Sequence, residues 1–486
     1  HFDLNTNGRF SPTNAITEEQ LDRIATMAAG FADWDKDGDL DYVAGNWSYG
    51  DMGSFNPQYS HNHWLTNMGD HFSVATPNEL QGDTLSVLLS DFNQDNNVDL
   101  MVGNDREYPD QYYLGDSHGH WRRTINTNDA PITSFNTMGI ITADFNNDLN
   151  FDLFSTDMSF AIGHDKNYCE LLPDINDRAK CKNLISGYKG ILDYDVTQCI
   201  KLANSSQKQD CLVALAIQMA NRDQNMAYCR QIPTSYVTEG LLCNNLASRS
   251  FNKPMVEQHD NIIQHQQNML LIRNTDGSLS EKAAEFGVDK SFWSWNAKAA
   301  DLDNDEWQDL YVGNGYEFGT ANNEIHSNVF FHNQMGKGFK QAEKEFGLTD
   351  YVNTTNYSYA DIDLDGDLDI IANGTMSAPR VFLNQNQNNS ITFSLRDDIG
   401  NHFCIGCKAT IYYGDNKRQI RELLLSGGFQ SFDEPVIHFG LASYEQINRI
   451  DINWSTGETT TISEPLKANR RYRIYRNSNV RNIAAR

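Results

Sequence analysis

The sequence predicts a mainly β fold, a β-propeller of five to seven blades with an α-helical, disulfide-rich insertion and a C-terminal β-domain. Three observations predict it. An acidic stretch running into an apolar strand recurs five times, a strand–turn–strand pattern follows most copies, and two stretches, one internal and one terminal, abandon the repeat. Such self-similarity marks an architecture built from one supersecondary unit.

The acidic copies are DWDKDGDLDYVAGN from Asp33, DFNQDNNVDLMVGN from Asp91, DFNNDLNFDLFSTD from Asp144, DLDNDEWQDLYVGN from Asp301 and DIDLDGDLDIIANG from Asp361. Each has Asp or Asn at positions one, three and five and Asp at nine, then apolar residues of strand character. The strands close on Asn46, Asn104, Asp157, Asn314 and Asn373. The second pattern, as in HNHWLTNMGDHF from His61 or NVFFHNQMGKGF from Asn328, reads as a hairpin. A strand before the acidic loop, one after it and the hairpin make four, the content of a blade.

Start-to-start spacings are 58 (33 to 91), 53 (91 to 144) and 60 (301 to 361), but 157 from 144 to 301. The excess leaves roughly one hundred residues for an insertion. There the strand pattern gives way to YCELLPDINDRAKC, QCIKLANSSQKQDC and YCRQIPTSYVTEGLLC. Apolar residues from Ile200 to Met219 recur at helical steps. Six cysteines allow 15 pairings; the local ones, Cys169 with Cys181, Cys199 with Cys211 and Cys229 with Cys243, each close one short helix–turn unit. The organisation expected is propeller over 1–159, insertion over 160–255, propeller over 256–396 and an all-β module over 397–486. That module holds Cys404 and Cys407, a CxxC entering a strand, read as a local disulfide.

With 65 acidic against 38 basic residues and a formal charge of -27, nucleic acid is excluded as a partner, since phosphate contacts need cations. At 39% apolar residues the chain has material for packed sheets. No apolar run approaches the ~20 residues of a membrane helix. A start at His1 and an even cysteine count suit a secreted or cell-surface chain with its signal peptide removed. Seven Asn-x-Ser/Thr triplets, at Asn46, Asn204, Asn353, Asn356, Asn373, Asn388 and Asn453, suit a glycoprotein.

The acidic spacing points to calcium, a hard cation taking six to eight oxygens. Carboxylates or amides at positions one, three, five and nine and a carbonyl at seven would wrap it. The ligand sets are Asp33, Asp35, Asp37, Asp39 and Asp41; Asp91, Asn93, Asp95, Asn97 and Asp99; Asp144, Asn146, Asp148, Asn150 and Asp152; Asp301, Asp303, Asp305, Trp307 and Asp309; and Asp361, Asp363, Asp365, Asp367 and Asp369. Gly38 and Gly366 at position six suit a turn of positive φ, which ranks the first and fifth loops highest. Leu149 there ranks the third lowest. These ions would be structural. Aromatic stretches from Asn46 and at Phe292–Asn296 could either line a contact surface or pack between blades.

The acidic loops and their strands resemble the FG-GAP/VCBS repeats of integrin α-subunit propellers. The tail GNHFCIGCKATIYYGDNKRQIRELLLSGGFQSFDEPVIHFGL with RIDINWSTGE resembles the ASPIC/UnbV domain that ends cartilage acidic proteins, through Gly406, Ser426, Gly427, Gly428, His438, Phe439, Gly440, Leu441, Trp454 and Gly457. The resemblance implies an extracellular calcium-binding propeller acting in adhesion, interaction or assembly, with a protein, a glycan or its own copies as partner, and not an enzyme. The alternative is a secreted propeller lyase or hydrolase acting on polysaccharide, with its site in the axial channel.

Overall fold

A computed structural model describes residues 3–6, 9–12, 25–47, 61–75, 82–105, 109–124, 132–158, most of 195–244, 263–265, and 267–485 except 316–326 and 375–376. Cys169, Cys181 and residues 48–60 lie outside the described residues.

The fold is mainly β, with few helices and many antiparallel sheets. Each acidic repeat builds one sheet. The first joins Ala25–Ala32, Asp41–Trp47, His63–Asn67 and Phe72–Ala75, and the second Asp83–Ser90, Asp99–Asp105, Gln111–Gly115 and Trp121–Thr124. The third joins Thr137–Ala143 and Asp152–Asp157 to Met269–Arg273 and Leu279–Glu281, so the insertion leaves between its second and third strands. The fourth holds Ser294–Ala300, Asp309–Asn314, Val329–Asn333 and Phe339–Gln341; the fifth holds Thr354–Ala360, Asp369–Gly374 and Arg380–Phe382. Within each sheet the acidic loop joins the first strand to the second.

The sheets pack face to face in chain order. Val43 and Val87 meet between the first and second, Met101 and Ile140 between the second and third, Phe154 and Ala297 between the third and fourth, and Tyr311 and Tyr357 between the fourth and fifth. Both faces of the middle sheets are therefore buried, which is why Asp83–Ser90 is covered along its whole length. Among the described residues no further sheet packs on the far face of the fifth. Ile371 and Val381 are register partners, Leu383 follows on the same side, and they are 38%, 54% and 52% exposed.

At the end away from the acidic loops, four sheets repeat a second device. The side chains of Asn62, Asp110, Asn268 and Asn328 accept the backbone N–H of Asn46, Asn104, Asp157 and Asn314, the residues closing the second strands. Asn46 and Asn353 are buried, so two of the seven glycosylation triplets present no amide to solvent. Trp293 and Trp295 are buried beside Met138 and Phe429, which settles the Phe292–Asn296 stretch as packing.

In the insertion, Val196–Ile200 and Ser205–Asp223 are helical. Cys199 is joined to Cys211 and Cys229 to Cys243. Cys404 and Cys407 also form a disulfide. No described helix is long and apolar enough to cross a membrane.

The C-terminal module has its own core, around Phe393, Ile411, Phe439, Ile452 and Trp454. Its sheet begins ahead of residue 397, because Asn389–Arg396 pairs with Ile437–Ala442 and Arg470–Tyr475. Sequence composition suggested a separate unit, yet a strap over residues 425–434 leaves it and touches the first strand of all five sheets. Leu425 O accepts from Phe31 N at 3.0 Å, Gly427 N donates to Val87 O and Gly428 N to Ile140 O at 2.9 Å. Phe429 N donates to Asn296 Oδ1 at 2.9 Å, and Asp433 Oδ1 accepts from Tyr359 N at 2.8 Å. Gly427 and Gly428 have φ of 79° and 62°, and a Cβ on Gly428 would stand 2.6 Å from Asn296 Oδ1.

Candidate metal centres

The five acidic loops share one backbone. Position six has positive φ in all of them: Gly38, Asn96, Leu149, Glu306 and Gly366. So does position four, at Lys36, Gln94, Asn147, Asn304 and Leu364, a feature the sequence did not announce. Leu149 and Glu306 thus adopt the turn that their side chains disfavour.

In the first four loops position four also hands its side chain to the next loop. Lys36 Nζ donates to Asn97 Oδ1, Gln94 Nε2 to Leu149 O, Asn147 Nδ2 to Glu306 O and Asn304 Nδ2 to Asp367 Oδ1, at 2.8–3.1 Å. The loops are linked in series from first to fifth. Asp367, expected to offer only its carbonyl, is buried through this contact.

Position nine has a second role. In the third loop Asp152 Oδ2 accepts from Phe145 N at 3.1 Å and Oδ1 from Arg273 N at 2.9 Å. Asp41, Asp99, Asp309 and Asp369 do the same, each accepting one N–H from its own loop and one at the end of the third strand. These aspartates tie loop to hairpin whether or not a metal is bound.

The loops differ in how their other carboxylates meet. Ligand oxygens of Asp33, Asp35 and Asp37, of Asp301, Asp303 and Asp309, and of Asp361, Asp363 and Asp365 lie within 4.8 Å of one another. In each set one buried oxygen, Asp33 Oδ1, Asp303 Oδ1 or Asp361 Oδ1, has no hydrogen-bond donor. A buried acceptor without a donor is what a cation would satisfy, so these three loops fit calcium. Asp91 Oδ1 of the second loop is likewise buried without a donor, but the carboxylates of the second and third loops do not gather this way among the described residues. In the third, Asp144 accepts from Asp148 N and Leu149 N, and the Asn146 amide donates to Asp148.

Burial pushes the Asp33 carboxyl up to about 6 and Asp41 up to about 8. Burial, with the charges of Asp305 and Asp303 added, holds Asp301 far above the ordinary range. The fourth loop has a further donor that sequence reading missed. His332 Nε2, on the third strand, lies 3.0 Å from Asp303 and 3.7 Å from Asp305, and these contacts raise its imidazole to about 10.

The C-terminal module covers the loops. Gly38 O accepts from Asn401 N, Ser455 Oγ donates to Asp33, Lys408 pairs with Asp91, Ala442 N donates to Asn304 O, and Ser390 Oγ donates to Gly366 O. Burial pushes the Asp144 and Asp301 carboxyls up, and the nearby Arg421 charge offsets part of that rise. Between strap and sheets remains a cavity of about 160 Å³, lined by Lys298, Asp301, Arg421, Glu422 and His438 among others. Its charges are engaged, Lys298 with Asp433 and Glu422 with Ser90 and the Asp91 N–H.

No curated protein matches the chain. Among solved structures, that of an Agrocybe aegerita lectin, titled for specific recognition of non-reducing terminal N-acetylglucosamine, aligns with a TM-score of 0.34 at 11% identity. The alignment covers 74% of this chain and 64% of that one, so the chain spans less than two thirds of that structure. The family model described as ASPIC and UnbV matches residues 397–481, the module that carries the strap and covers the acidic loops.

Proposed function

We propose that the chain is an extracellular calcium-binding β-propeller that acts by interaction and assembly. The five sheets are its blades. Calcium sits in the first, fourth and fifth loops, held by the convergent carboxylates with the carbonyls of Asp39, Trp307 and Asp367, and it neutralises charge that the blades bury. The disulfides and the acid-rich composition suit such a compartment.

The observation that carries the interaction reading is the far face of the fifth sheet. Sheets one to four each cover this face with the next sheet, whereas Ile371, Val381 and Leu383 stay exposed. An apolar sheet face of this kind marks a contact surface, and a second copy of the chain is the partner proposed. The strap filling the axis favours this reading over a polysaccharide lyase or hydrolase with an axial site.

Sedimentation velocity in calcium tests it. Wild type is expected to associate with rising concentration, and Val381→Asp with Leu383→Asp to stay monomeric. Two monomers indistinguishable at all concentrations would refute self-assembly; glycan-array binding by such a monomer would make carbohydrate the partner.

A further inference from the structure

The second loop differs from the three that gather their carboxylates, both in its own residues and in what faces it. Position three is Asn93, which leaves Asp91, Asp95 and Asp99. The Asn93 amide donates to Asp95 Oδ2 at 3.2 Å, placing a donor where a cation needs acceptors. Asp99, like the position-nine aspartate of every loop, accepts backbone N–H groups with both oxygens.

Asp91 has a cation on one of its two oxygens, while Oδ1 is buried without a hydrogen-bond partner. The ammonium of Lys408, on the C-terminal strand Lys408–Tyr413, is ion-paired with Asp91 Oδ2, and the two side chains are only 7% and 6% exposed. Its placement is built from both sides. Lys408 is the register partner of Glu422, and Glu422 in turn accepts from Ser90 Oγ and from Asp91 N at 3.0 Å. The fourth loop also meets a basic side chain, that of His332, but there the oxygens of Asp301, Asp303 and Asp309 still gather within 4.8 Å of one another.

We propose that Lys408 is a tethered cation that fills the second loop in place of calcium. This rests on the calcium reading of the other three loops. An ammonium has three donors and one charge on a flexible stem, so it serves a pair of carboxylates without the six or more oxygens calcium requires. A calcium ion beside it would meet like charge at a few Å and lose Asp91 Oδ2 as a ligand. The second loop is thereby locked to the C-terminal module by the protein's own charge, and that part of the docking does not depend on calcium.

Calcium counting by equilibrium dialysis of the full chain, with calcium as the sole added metal, tests the assignment. Wild type is expected to bind three ions, Asp91→Asn to keep all three, and Asp361→Asn to lose one. Lys408→Met, if folded, is expected to gain a fourth; if it does not fold, the Asp91→Asn count decides. An Asp91→Asn count one lower than wild type would overturn the proposal. A wild-type count of zero would overturn the calcium reading, and the proposal with it.

Discussion

Phe429→Ala is expected to destabilise the entire chain, by about 3–5 kcal/mol, although it alters one residue of a loop. Phe429 is 3% exposed and packs at the axis with Leu85, Met138, Trp293 and Trp295, side chains contributed by three different sheets. Its loss opens a cavity lined by side chains from all three. The expected result is a single earlier transition for the whole molecule by calorimetry. Separate melting of the C-terminal module, with the sheets unaffected, would contradict the role given to the strap.

Glycine substitutions refine the same test. Gly428 and Gly457 both have positive φ, but a Cβ meets Asn296 only at Gly428 and open space at Gly457. Alanine costs about 1 kcal/mol from backbone conformation at either site. The excess at Gly428 reports the packing of the strap.

The second large effect is expected at Asp152. Alanine leaves Phe145 N and Arg273 N buried without an acceptor, at about 1–3 kcal/mol each. Because the third loop is one that does not gather its carboxylates, the loss should be equal in calcium and in chelator. Asp35→Ala in the first loop should destabilise in calcium alone. Equal calcium sensitivity of the two variants would refute the division between tying and ligating aspartates.

Much of this was legible in the sequence, because repetition amplifies a weak local signal. Five acidic loops in register ahead of apolar strands placed all five loop–strand units, and the spacing of 157 located the insertion. Local cysteine spacing led to the pairs at Cys199 and Cys229. What stayed hidden depends on contacts distant in sequence. The bonds from the side chains of Lys36 and Gln94 reach the neighbouring loop, far away along the chain. Ser426, Gly427 and Gly428 were visible as a motif, but only their bonds to Leu89, Val87 and Ile140 show what they hold, and only the fold shows that a Cβ on either glycine would crowd Ile140 O or Asn296 Oδ1. Asp91 and Asp33 look alike in sequence; Lys408 separates them.

The central claim is that calcium holds the first, fourth and fifth loops. Thermal melting of the full chain with calcium and with chelator, across pH, tests it most directly. Asp33 and Asp41 have folded values near 6 and 8 against 3.8 unperturbed, so the metal-free fold binds their protons more tightly than the unfolded chain does. Metal-free stability therefore falls as pH rises from about 4 through 8. Calcium takes the place of the Asp33 proton, so a Tm gap between the two samples is expected that is small near pH 4 and widens towards pH 8. A Tm that chelation leaves unchanged at pH 8 would contradict it.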